Sequence, residues 1–171
     1  MVGECAVAED LPLLAARVLE RFVQQYPQDA RVGAAFLLLG KARLALGQPD
    51  AALGQGRVLT GEQRWQEARA ALGPLLAGTD SALAAEAARW LGETFRGEGD
   101  HLAAAEYFMT AVYLSPDSAT GRRALLAAAE SFAAINQRAS AAGLFRRVLA
   151  HTDLPAEIVD AARRGLGALG R

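Results

Sequence analysis

The chain has 171 residues, 52% of them hydrophobic, and its 18 Lys and Arg nearly balance its 19 Asp and Glu for a net charge of −1. That composition fits a folded, almost neutral body and argues against nucleic acid as a partner, because no basic track is available for phosphates. Even the apolar run Ala34 to Leu39 is closed by Gly40-Lys41, far short of the roughly 20 residues of a membrane span, so no membrane insertion is expected.

Residues 1–10 are acidic and lack the basic lead-in of a signal peptide; they are expected to be disordered or frayed. Cys5, the single cysteine, has no basic or histidine neighbour to activate it. The first periodic stretch, Leu11 to Tyr26, places Ala15, Leu19 and Phe22 on one helical face and stops at Pro27. It reads as the second helix of a hairpin without its first. Residues 11–27 are then either a half unit, which marks the chain as a fragment of a longer protein, or a capping helix.

From Asp29 to Leu46 the spacing predicts a first helix, with Leu39-Gly40 as a large-small pair and Arg43 where later units carry an aromatic. Gly47-Gln48-Pro49-Asp50 breaks it. Residues 49–60 admit two readings: a short helix shared by two merged units, with Gly56 in the small position, or an irregular insertion. Trp65, Ala68, Leu72 and Leu75 then stripe a second helix that Gly73-Pro74 should kink or shorten, which makes 31–80 one or two irregular units.

The clearest hairpin spans 85–118. Leu91-Gly92 and Phe95 lie on a first helix, Gly99-Asp100 makes a turn, and Ala104, Phe108 and Ala111 stripe a second helix ended by Pro116. Small residues at Gly92 and Ala104 let backbones approach, while Phe95 and Phe108 fill the space beside them. The unit 122–153 repeats these columns with Leu125, Ala128-Ala129, Phe132, Ala141, Phe145 and Val148, and Asn136 takes the turn. Pro155 opens a final helix, 155–169, read as a cap with Arg163 and Arg164 in solvent.

A large-small pair, an aromatic, then Ala, Phe and Pro, repeated over about 34 residues, resembles the tetratricopeptide repeat family. The slightly lengthened units resemble those of bacterial envelope proteins, including outer-membrane-assembly lipoproteins and the periplasmic partner of the Tol system. Ala88 departs from the pattern: the family favours tryptophan there, so the top of that helix is expected to pack loosely. The resemblance implies an all-α fold, a right-handed solenoid of stacked antiparallel hairpins over 11–171. It implies a non-catalytic module that holds a segment of a protein or peptide partner in a concave groove and aids assembly of a bacterial multiprotein complex. The groove positions it implies are Glu86, Arg89, Glu93 and Arg96 on one unit, Arg123, Leu126, Glu130 and Ala133 on the next, and Ala34, Leu37, Lys41 and Leu44 on the earlier helix. Chaperone-binding members use asparagine where Lys41, Glu93 and Glu130 stand, which argues against a chaperone C-terminus as ligand. The compartment stays open between cytoplasm and, for a piece of an envelope protein, periplasm.

No catalytic, metal-binding or cofactor-binding pattern emerges. His101 and His151 sit alone near helix ends, and Glu62, Glu67, Glu86, Glu93 and Glu106 lie on helices, mostly with Arg close by. Glu86, Arg89, Glu93 and Arg96, three and four residues apart, can pair with one another. Trp65 and Trp90 read as packing residues. The alternatives to a binding module are a self-associating scaffold, joined through exposed terminal helices into a homo-oligomer, and an enzyme, which no residue pattern supports.

Overall fold

The computed structural model describes residues 11–170; the expected frayed segment 1–10, with Cys5, lies outside the described residues. Helix boundaries follow local chemistry. Helix α1 (Pro12–Gln25) starts on proline, whose missing N–H would be unsatisfied there in any case. Helices α2 (Val32–Ala45) and α3 (Pro49–Gly61) follow, parted by Gly47 at φ +65°. Helix α4 (Trp65–Leu72) gives way at Gly73-Pro74 to a 3-10 turn, Gly73–Ala77. Asp80 caps α5 (Ser81–Glu98), accepting from the Ala82 and Leu83 amides at 2.9 and 3.1 Å. Gly99, left-handed at φ +87°, ends α5, and Asp100 caps α6 (His101–Leu114) by accepting from the Ala103 amide at 3.0 Å. Ser118 caps α7 (Ala119–Ala134), Asn136 turns the chain at φ +61° into α8 (Arg138–Leu149), and α9 (Ala156–Leu169) follows Pro155.

The chain is all-helical over the described residues, and each helix packs chiefly on its neighbours in sequence. Beyond those pairs, α3 meets α5, α5 meets α7, and α7 meets α9, while the intervening helices α4, α6 and α8 do not approach one another. The odd-numbered helices from α3 onward therefore form one row. Helix α2 joins out of step, packing more extensively on α4 than on α3.

Close approach at small residues explains both the regular and the irregular part. A Cβ placed on Gly92 would lie 2.6 Å from the Phe108 ring, so α5 and α6 meet at a distance only glycine permits. The same substitution at Gly56 in α3 would bring a Cβ to 2.4 Å from Leu72 in α4. Gly40 in α2 sits over the same helix, with its Cβ direction 3.0 Å from the Ala71 carbonyl oxygen and 3.4 Å from the Pro74 ring. Two helices, α2 and α3, thus lay their small residues on α4, which is the shared element of this region. Residues 49–60 are a regular helix rather than an irregular insertion.

Buried residues form three clusters in chain order: one from α1 to α4, one joining α3, the 3-10 turn and α5, and one from α5 to α9. Ala104, Phe108, Ala111, Ala129, Ala141 and Phe145 are all buried, and Phe95 and Phe132 lean on the same cluster from its edge. Ala88 is fully buried and belongs to the same cluster as Ala104, Phe108, Ala124 and Ala128, so the position left by the missing tryptophan is covered by neighbouring helices and not open to solvent.

Arg43, at an otherwise aromatic position, ties three helices together. Its guanidinium meets Glu20 of α1 at 2.8 Å and donates to the Ala51 carbonyl at 3.1 Å and to Gln55 in α3. An aromatic could not have satisfied those acceptors.

Candidate functional site

Helix α5 presents a polar face opposite the Ala84, Ala87, Ala88 and Leu91 stripe that it buries. Glu86, Arg89, Glu93 and Arg96 follow one another along that face as a chain of ion pairs. Arg89 reaches Glu86 at 3.2 Å and Glu93 at 3.9 Å, Arg96 holds Glu93 at 2.6 Å, and Arg96 also reaches across to Glu130 of α7 at 3.2 Å. Pairs at the surface contribute about 0.2–1 kcal/mol each, and these, except at Glu130, are partly buried. Their main effect is to consume charge: Arg89, Glu93 and Arg96 are largely occupied by one another.

Glu86 is bound from two sides. The Thr120 hydroxyl of α7 donates to it, and Arg89 donates to its other oxygen. Partial burial pushes its carboxyl pKa up, but the Thr120 hydrogen bond and the charges of Arg89 and Arg57 outweigh this and hold it below the ordinary value.

Next to the ladder lies a cleft of about 430 Å³ lined by Arg57, Thr60 and Gly61 of α3, Trp65 of α4, and Arg89, Trp90, Glu93, Arg96 and Gly97 of α5. The Trp90 ring carries two guanidiniums, Arg89 at 4.4 Å and Arg57 at 5.3 Å from its centroid. Trp65 lies against Gly97 so closely that a Cβ there would fall 2.5 Å from the ring. Arg69 fixes α4 to α5 below, with two bonds to Glu98 at 2.7 and 3.1 Å while stacking 4.6 Å from the Phe95 centroid.

Donors outnumber acceptors in the cleft. Arg57 is exposed and forms no hydrogen bond or ion pair among the described residues. Arg89 Nε and Trp90 Nε1 are buried without an acceptor among the described residues. A buried donor left in that condition costs about 1–3 kcal/mol, so such groups are normally matched.

Of the expected groove residues, the structure gathers Glu86, Arg89, Glu93, Arg96 and Glu130 into one network. Arg123 is exposed on α7 with no ion pair among the described residues, and Leu126 is half-buried against the core. Lys41, Ala34 and Leu37 are exposed on α2, away from the cleft. Sequence reading missed Arg57 and Thr120; it took Trp65 and Trp90 for packing residues, and they do pack, Trp65 on Gly97 and Trp90 on a buried cluster, while both also line the cleft. One signal was available: Trp90, four residues after Glu86 and three before Glu93, falls at the edge of the apolar stripe of α5, so its ring packs on the cluster that holds Ala87 and Leu91 and still borders the charged face.

Among the described residues no group of three or more His, Cys, Asp or Glu side chains stands where it could hold a metal ion. No helix among them is long and apolar enough to cross a membrane. No protein-family model matches the chain, and comparison with curated proteins finds no relative.

Proposed function

We propose that the chain is a right-handed tetratricopeptide-type solenoid that acts without catalysis, holding an extended or helical segment of a protein partner on its odd-helix face and so aiding assembly of a multiprotein complex. The carrying observation is the cleft between α3, α4 and α5, whose polar wall continues through Arg96 and Glu130 onto α7. A row of helices with one shared surface suits a ligand longer than a small molecule. The repeated small-residue contacts at Gly56 and Gly92 support the hairpin-stack reading of the fold.

Photo-crosslinking separates this face from the rest. A benzophenone amino acid at exposed Glu130 should yield a crosslinked partner in cells, and one at exposed Leu102, on α6 outside the row, should not. Crosslinks from Leu102 alone would contradict the proposal.

A second reading, self-association, rests on α1. Leu11, just before it, and Leu13 and Leu14 in its first turn are 46%, 60% and 46% exposed. Light scattering checks it: a constant monomer mass over a wide concentration range excludes it.

A further inference from the structure

We propose that the cleft takes a carboxylate: the partner segment carries an Asp or Glu that seats on Arg57, beside an aromatic or branched aliphatic side chain that packs on Trp65 and Trp90. This rests on the partner-groove reading and adds the chemistry of what enters. Charge accounting in the cleft carries it. Arg89 and Arg96 are matched by Glu86, Glu93 and Glu130 within 4 Å. Arg57 is not; it feels Glu86 only through longer-range attraction and otherwise rests 5.3 Å over the Trp90 ring. One cation therefore lines the cleft with its fork of N–H donors unspent, and two other lining residues, Arg89 and Trp90, each keep a buried nitrogen without an acceptor among the described residues.

A carboxylate supplies what is missing, because its two oxygens match the planar guanidinium fork. The surroundings fit an apolar neighbour for it. Two indole rings and the glycines Gly61 and Gly97 line the wall. A cationic ligand is disfavoured, since Glu93 is already held by two arginines. A nucleic-acid backbone is disfavoured as well, since successive phosphates would run past Glu86, Glu93 and Glu130.

Selection of short random peptides displayed on phage tests this with the full chain and with Arg57→Gln, whose site is exposed and whose fold is checked by circular dichroism. From the wild type the selection should enrich peptides with Asp or Glu next to an aromatic or branched aliphatic residue. Synthetic copies should bind Arg57→Gln about tenfold more weakly, the size of one charge-assisted hydrogen bond. Copies with the acid changed to its amide should lose the same on the wild type and nothing more on the variant. Enriched peptides without acids, or acidic peptides that bind Arg57→Gln equally, would overturn the carboxylate inference and leave the groove standing. A selection that enriches nothing would remove the peptide groove itself. Binding of single-stranded oligothymidylate that depends on Arg57 would replace the inference with a nucleic-acid site.

Discussion

Gly92 of α5 faces the ring of Phe108 in α6 at a separation that leaves no room for a methyl group: a Cβ there would sit 2.6 Å from two ring carbons. That contact sets how closely the hairpin closes, and the face of α5 that carries the charged ladder is held in place by it. Gly165 of α9 meets Phe145 of α8 in the same way, with a Cβ direction 2.3 Å from the ring.

Enlarging Gly92 should therefore destabilise the chain in a way coupled to Phe108. Gly92→Ala gains about 1 kcal/mol of helix propensity but forces the ring to move, at about 1–3 kcal/mol. Gly92→Leu should lose at least about 2 kcal/mol, since repacking cannot absorb it. Combining Gly92→Ala with Phe108→Leu should be less harmful than the sum of the two, by about 0.5–2 kcal/mol. Urea unfolding of the four proteins measures the coupling; strict additivity would contradict the contact.

At the α5–α6 turn, Gly99→Ala should cost about 1–2 kcal/mol because the residue sits at φ +87°. Gly99→Asn should cost less, as asparagine tolerates that conformation. Asp100→Ala should lose about 1 kcal/mol with the cap to the Ala103 amide. Thermal melts of the three variants rank them.

How much of this was legible in the sequence depended on whether one residue's role is set locally. Gly99, Asp100, Asn136 and Pro155 act through their own backbone, and the turns and helix starts they mark stand where the spacing puts them. Helix α4 serving both α2 and α3 could not be read that way, because Gly40 and Gly56 look alike until the element each one touches is known. Ala88 is ambiguous for a related reason: a small residue where a large one is usual signals either a gap or a closer approach, and the spacing on its own helix does not decide between them. Along the polar face of α5, the i to i+3 and i+4 steps from Glu86 to Arg96 were readable on one helix. Thr120 and Arg57 come from other helices, and no spacing connects them to α5.

Arg43 and Arg163 should respond very differently to removal. Arg43→Ala strips a mostly buried guanidinium from Glu20, the Ala51 carbonyl and Gln55, and should lose about 2–3 kcal/mol. Arg163, whose pair with Asp160 at 3.5 Å is largely exposed, should tolerate alanine within about 0.5 kcal/mol. Chemical denaturation distinguishes the two.

Glu86 should make stability depend on pH on its acid side. Its pKa is lower folded than unfolded, so its contribution is complete above the ordinary value of 4.5 and is lost as pH falls through the lowered folded value. Wild type should therefore exceed Glu86→Gln in stability at neutral pH, and the gap should close in acid. Thr120→Val should narrow the gap at neutral pH by removing one of the bonds that lower the pKa. A gap unchanged from neutral to acid pH would contradict this assignment.

The partner groove is tested most directly by the tryptophans, because the chain has two and both line the cleft. A nitrogen–proton correlation spectrum then shows two indole signals, and titration with the partner segment identified by crosslinking reads the cleft alone. Both signals should shift and saturate together, with that of Trp90, beneath Arg57 and Arg89, moving further. Saturable binding of that segment with both indole signals unmoved would contradict the groove.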